Sequence, residues 1–409
     1  MAQHAEDGFG PTNTEASHEE DQKTKAPPLP LEFLAITKDG GELHRYQEGL
    51  TPEDLKKPVK ILNGIDQAQW TADGQKLAIV HRDRPCQVDL IGVEDEKVYF
   101  SCSGASSVVK FCFSPLQTFL LVCFRHDAAA GQHENFCLYR MQNGEKVLSF
   151  TLKQINSNTW PPLRWTSQES YCCRMVTNEV HIFKENTFNL NHPYSRIRCE
   201  NVVSFSPCRE KKKTASDPTS SSSSTSDKRP PPPSSANHPC ADQEEKSENK
   251  EKTPSSSSTA PPPLTCAVFA VGRKGAPSAV KLFDLEDGSR CVSTKSFFQG
   301  NEAQFKWSYD GRAVLAQVHT DASDQSYYGS DALYFLKADG SFDCQLVGAA
   351  EGPIHDIQWS PTTLEFLLAK GPVPPEVIHY KSYQHSHHYG CTTTTTAVLL
   401  LLYYTTILL

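Results

Sequence analysis

One short phrase limits what this chain can fold into more than any other feature. It consists of a large aromatic residue, Ser or Thr, a turn and an apolar run, and it recurs six times in whole or in part. It stands at Trp70-Thr71-Ala72-Asp73-Gly74 ahead of Leu77–Val80, and at Phe113-Ser114-Pro115 ahead of Phe119–Val122. It returns at Trp165-Thr166-Ser167, at Phe205-Ser206-Pro207-Cys208, at Trp307-Ser308-Tyr309-Asp310-Gly311 and at Trp359-Ser360-Pro361. The steps between these phrases are 43, 52, 40, 102 and 52 residues. The long step contains a low-complexity stretch of 57 residues, Cys208 to Leu264, and without it becomes 45. A period of about 40–50 residues with strand–turn–strand content is what a four-stranded propeller blade requires. Propellers serve mostly as interaction platforms, so partners are the first question.

Local signals agree. Strand-like material begins at Leu31–Ile36, and the turn Lys38-Asp39-Gly40-Gly41 leads to a second strand ending at Tyr46. Phe136–Arg140 precedes Asn143-Gly144, Val280–Asp284 precedes Glu286-Asp287-Gly288, and Ala332–Leu336 precedes Ala338-Asp339-Gly340. Asn-Gly and Asp-Gly between apolar runs mark hairpins, because their turns need positive φ. No long stretch has a helical period. The chain reads as all-β, a WD40-like β-propeller of about six blades. The expected organisation is an N-terminal disordered segment at 1–27 and a propeller region at 28–381, interrupted by the Pro/Ser-rich insert 208–264. A low-complexity and apolar tail at 382–409 completes it.

Composition narrows the function. Hydrophobic content is 38%, which the polar N-terminus and the insert account for. The insert carries Lys211–Lys213, serine runs, Pro230–Pro233 and Pro261–Pro263, the makeup of a solvated spacer. A net charge of -8 gives no global attraction to nucleic acid, so an RNA contact has to come from a local basic patch. The 14 cysteines include no CxxC pair, and Cys112, Cys123 and Cys137 sit in apolar runs, as expected of a reduced intracellular protein. The apolar end, Ala397–Leu409, has 13 residues, short of the roughly 18–20 that span a bilayer. Membrane attachment is therefore not expected.

The chain carries few chemical motifs. There is no Gly-x-x-x-x-Gly-Lys-Ser/Thr loop for phosphates and no Gly-x-Ser-x-Gly nucleophile elbow. His385, His387, His388 and Cys391 offer metal-ligating atoms, but adjacent histidines rarely converge on one ion. No enzyme activity, cofactor or metal is expected. The candidate RNA contacts are Arg273 and Lys274, in a basic turn-prone loop, and Tyr327 and Tyr328, an aromatic pair able to stack on bases. Their bland alternatives are a solvated turn and blade packing. The repeated tryptophans Trp70, Trp165, Trp307 and Trp359 are expected in the core.

Several phrases in order carry a more specific signal. Asn178–Phe183, Asn186–Asn189, Lys274–Ser278, Lys295–Phe298, Ser326–Gly329 and Gly352–Asp356 resemble the eukaryotic translation initiation factor 2A family. The resemblance covers about residues 30 to 381 without the insert. It implies a nine-bladed propeller with a mostly helical C-terminal extension. It also implies a cytoplasmic initiation factor that binds the small ribosomal subunit and helps deliver initiator methionyl-tRNA independently of GTP. mRNA and other initiation factors would be further partners. The competing reading is a WD-repeat protein-interaction scaffold without tRNA delivery.

Overall fold

The computed structural model describes residues 31–46, 51, 53–54, 56–126, 134–156, 159–210, 263–321, 329–348, 351–382 and 389–393. Among them there is no α-helix. The chain divides into two compact units, residues 1–66 and 67–409. The first holds a three-stranded antiparallel sheet I of β1 (Leu31–Ile36), β2 (Gly40–Tyr46) and β3 (Lys60–Asn63). Its first hairpin turns at Gly40, which sits at φ +148°, and a Cβ there would stand 2.5 Å from the Leu62 carbonyl.

The second unit is built from six four-stranded sheets, each a meander of consecutive strands. Sheet II contains β4 (Ile65–Trp70, which begins at the unit boundary), β5 (Lys76–His81), β6 (Gln87–Gly92) and β7 (Val98–Ser103). Sheet III contains β8 (Val108–Phe113), β9 (Phe119–Phe124), β10 (Phe136–Arg140) and β11 (Lys146–Phe150). Sheet IV contains β12 (Leu163–Trp165), β13 (Tyr171–Val176), β14 (Glu179–Lys184) and β15 (Ser195–Arg198). Sheet V contains β16 (Val202–Pro207), β17 (Thr265–Ala270), β18 (Ser278–Asp284) and β19 (Cys291–Phe297). Sheet VI contains β20 (Glu302–Trp307), β21 (Ala313–Thr320), β22 (Ser330–Lys337) and β23 (Asp343–Val347). Sheet VII contains β24 (Ile354–Trp359), β25 (Glu365–Lys370), β26 (Glu376–Ser382) and β27 (Tyr389–Thr393). The last strand lies within the segment that the sequence reading assigns to the tail.

The apolar runs show why the sheets stack. In β9 all six residues are buried. Leu120, Val122 and Phe124 pack with Ala78, Val80 and Val88 of sheet II, whereas Phe119, Leu121 and Cys123 pack with Leu163, Trp165 and Phe183 of sheet IV. Side chains alternate across a strand, so a continuous apolar run is what a strand covered on both faces requires. The same continuity carries through sheets IV, V and VI in one cluster and through VI and VII in another. Consecutive sheets thus bury one another's faces, the blade-on-blade arrangement of a WD40-like β-propeller. Burying a Phe such as Phe119 contributes about 1.5–3 kcal/mol, and every sheet supplies several such residues.

The repeated phrase has a structural reason. In sheet VI the Ser308 amide donates to the Ala313 carbonyl (2.9 Å) and the Ala313 amide donates to Ser308 Oγ (3.1 Å), which closes the hairpin between first and second strands. Ser114 with Phe119 and Thr166 with Tyr171 repeat both bonds, as does Thr71 with Lys76. The fourth turn position adopts positive φ: Gly74 at 68°, Gln117 at 61°, Glu169 at 57° and Gly311 at 73°. In sheet V the closing pair is Cys208 with Thr265, a thiol replacing the hydroxyl (amide to Sγ 3.3 Å). The true repeat there is Pro207-Cys208, two residues beyond the Phe205-Ser206 expected from sequence. Cys208 and the following residues up to Glu210 are folded: the Glu210 amide donates to Ser167 Oγ (2.8 Å), and the Arg209 carbonyl lies where a Cβ on Gly311 would be.

The tryptophans divide. Trp165 and Trp307 are buried, but Trp70 and Trp359 are half-buried, so the expectation of four core indoles holds for two. First strands of successive sheets face one another from sheet IV to sheet VII. The indole N–H of Trp307 donates to the Ser206 carbonyl (3.3 Å) and that of Trp359 to the Lys306 carbonyl (2.8 Å). A Trp N–H needs such a partner when withdrawn from water.

Two measurements check this architecture. Ser308→Ala leaves the Ala313 amide and the buried Asp310 carboxylate short of a partner, at a cost of about 1–3 kcal/mol in denaturant unfolding. Ser308→Thr should be tolerated, because Thr71 and Thr166 fill the same place in sheets II and IV. The second concerns Glu286, which accepts hydrogen bonds from Tyr171, from Tyr194 (2.7 Å) and from Lys184 (3.0 Å), joining sheets IV and V. The Tyr171 bond first, then those of Tyr194 and Lys184, hold its carboxyl at about 2, below its ordinary 4.5. A depressed carboxyl stabilises the fold above its unfolded value and loses that contribution as pH falls through the folded one. Glu286→Gln should therefore lower stability at pH 7, and the deficit should shrink from about pH 4.5 downward; a deficit unchanged at pH 3 would contradict the link.

Candidate functional site

Antiparallel meanders put the first hairpin of each sheet at one end and the second at the other. Two surfaces follow, one at each end of sheets V and VI.

At the first-hairpin end a cavity of about 420 Å³ is lined by Pro115, Trp165, Arg209, Lys306, Trp307 and Trp359, among others. The Lys306 ammonium and the indoles of Trp307 and Trp359 are engaged. Lys306 Nζ bonds Asp356 Oδ1 (3.0 Å) and the Ile357 carbonyl (2.6 Å), and two indoles are spent on the backbone bonds given above. This cavity is the seam between first strands.

The opposite end is different. After β17 the chain makes a tight turn in which the Ala276 amide donates to the Arg273 carbonyl (3.1 Å). Lys274 (φ 55°) and Gly275 (φ 83°) occupy its two central positions, and positive φ at both is the signature of a type I′ hairpin turn. Arg273 and Lys274 are thereby placed at an exposed tip. Among the described residues neither side chain makes an ion pair, although Lys295 and Lys306 nearby in sequence are both paired. Gly272 is obligatory: a Cβ there would meet the Ala276 carbonyl at 1.9 Å.

Buried Ser278 fixes the base of this turn. Its hydroxyl accepts from the Gly272 amide (3.0 Å) and donates to the Gly300 carbonyl (2.9 Å), which ties the loop to the β19–β20 connection. Asn301 extends the join, its amide donating to the His319 carbonyl (2.8 Å) and its Oδ1 accepting from the Asp321 amide (3.2 Å). Asp331 bonds His319 Nδ1 (2.9 Å) and the Ile354 amide (3.1 Å), so the same end of sheet VII is attached. Three connections form one braced rim around a groove of about 360 Å³, whose lining includes Gly272, Ala276, Phe298, Asn301 and Asp321.

Phe298 is the residue that sequence reasoning missed as a site. Its neighbour Phe297 stacks on Tyr334 (centroids 4.9 Å apart) and Phe269 (6.0 Å). Phe298, one position on, is 86% exposed on the groove. Two adjacent phenylalanines at a strand end were the available signal, since alternation lets only one enter the core. Of the four sequence candidates, the structure places Arg273 and Lys274 on this rim. Tyr327 and Tyr328 lie outside the described residues, as do His385, His387 and His388; Cys391 falls in β27, its side chain undescribed. Among the described residues no group of His, Cys, Asp or Glu is arranged to hold a metal, and no helix is long and apolar enough to cross a membrane.

Comparison with known proteins agrees with this fold. Residues 295–397 match the family described as eukaryotic translation initiation factor eIF2A. Eukaryotic translation initiation factor 2A of Schizosaccharomyces pombe is 28% identical over 274 residues, 66% of this chain and 38% of that protein. The protein of the same name from Dictyostelium discoideum is 24% identical over 327 residues, 79% of this chain and 44% of its own length. This chain thus spans less than half the length of the two relatives. A crystal structure described as the eukaryotic initiation factor superposes with a TM-score of 0.60 at 21% identity, covering 89% of this chain and 74% of that one. That likeness bears on the fold alone. The chain is thus similar to the eukaryotic translation initiation factor 2A family, whose model matches residues 295–397.

Proposed function

We propose that this chain is a cytoplasmic translation initiation factor that works by binding rather than by catalysis. It docks on the small ribosomal subunit and helps deliver initiator methionyl-tRNA independently of GTP. The observation that carries the reading is the match to proteins named initiation factor 2A along 66–79% of the chain. The architecture supports it: stacked sheets present braced loop rims, and a rim with unpaired cations suits a surface dominated by phosphate. Specificity then comes from shape and charge complementarity over a surface.

The test uses the purified full chain and salt-washed small ribosomal subunits sedimented together at low salt. Co-pelleting is expected, with labelled initiator methionyl-tRNA recovered in the pellet to the same extent with and without GTP. Binding should weaken as salt rises, because exposed charges are screened. Co-pelleting without tRNA recovery would remove delivery from the function. A chain that stays in the supernatant at low salt would favour the protein-interaction scaffold instead.

A further inference from the structure

We propose that the braced rim of sheets V and VI is a single-stranded RNA contact, with Phe298 stacking on a base while Arg273 and Lys274 neutralise the neighbouring phosphates. The inference rests on the reading of the chain as an initiation factor and names the residues of that contact.

Three independent observations converge. First, Phe298 is exposed but not loose. The residue before it is stacked between two core rings, and two residues after it Gly300 is held so close to Val318 that a Cβ would stand 2.7 Å from Cγ1. An anchored backbone on either side spares the ordering cost of the segment when a base stacks on the ring. Second, the cations sit at the tip of a turn whose geometry presents them outward, and no described carboxylate neutralises them. Third, the groove between ring and turn is open and lined largely by backbone and small side chains, Gly272, Gly275, Ala276 and Ser278 among them. Small linings admit a planar group close to the main chain.

Among the described lining residues Asp321 carries the opposing charge. It lies at the groove edge, where it would repel phosphate but accept a hydrogen bond from an exocyclic amine. A base with an exocyclic amino group, adenine, cytosine or guanine, therefore fits better than uracil. An acidic peptide would satisfy the cations but leave the aromatic face without a planar partner.

The experiment is fluorescence anisotropy of labelled oligoadenylate and oligouridylate, about 12 nucleotides long, titrated with the full chain. Phe298→Ala should weaken oligoadenylate binding at least about fivefold, the low end of a stacking interaction, without changing the salt slope. Phe298→Trp should retain binding. Arg273→Ala with Lys274→Ala should lower the salt slope by about 0.7 for each phosphate no longer neutralised. All three positions are exposed, and unchanged thermal unfolding of each variant confirms the fold.

Loss of binding confined to the charge variant would reveal a bare polyanion patch and overturn the proposal. So would a change of less than twofold in both variants. Wild-type chain that pellets with subunits but binds neither oligonucleotide overturns this site and leaves the initiation-factor reading intact. Rim-dependent RNA binding without subunit association does the reverse.

Discussion

The burial of both faces of nearly every sheet in residues 67–409 is the constraint on which the rest depends. A strand such as β9 has no face left for water, so Phe119–Phe124 is apolar throughout and its two alternating sets serve two different neighbours. Stacking of this kind fixes each sheet relative to the next in chain order and brings the first strands together. The ends of the strands, not their faces, are then the surfaces left for partners. Those ends are loops, and loops on a rigid scaffold are where binding residues concentrate.

The two ends divide the work. At one, a hydroxyl or thiol closes the first hairpin of sheets II to VI, and Lys306 and the indoles of Trp307 and Trp359 at the seam are held by hydrogen bonds across it. The closure also explains how a long Pro/Ser-rich segment is accommodated: Cys208 and Thr265 complete the hairpin bonds, so the chain leaves and re-enters the sheet without disturbing its register. At the other end, Ser278 (which is buried), Asn301 and Asp331 spend their hydrogen bonds on tying three connections together. The residues that this leaves projecting, Phe298, Arg273 and Lys274, have no structural task among the described residues. An exposed aromatic ring beside the basic turn, on a rigid support, distinguishes this rim from the seam.

The fold was legible because its repeat is written in residues with fixed geometric duties. Ser or Thr closes the hairpin, a following turn residue accepts positive φ, and an apolar run enters a doubly covered strand. Legibility failed where another residue took over a duty. Cys208 replaces the hydroxyl in sheet V, so the Phe205-Ser206 pair imitates the phrase two residues early. Trp70 and Trp359 occupy the repeat position but are only half-buried, and position alone does not report depth. Arg273 and Lys274 were legible as an exposed basic turn. Phe298 was not, because its partnership with a turn some 25 residues earlier in the chain depends on how β18 and β19 return to the same end. Tyr327 and Tyr328 remain a sequence expectation, outside the described residues.

The proposed RNA contact places the second-hairpin end against nucleic acid on the small ribosomal subunit. Ultraviolet cross-linking of the full chain on small ribosomal subunits, followed by mapping of the peptides that retain nucleotide, addresses this directly. Cross-links concentrated in 271–277 and at Phe298 are expected. Cross-links confined to the first-hairpin end, around Trp307 and Trp359, would contradict the assignment of the rim.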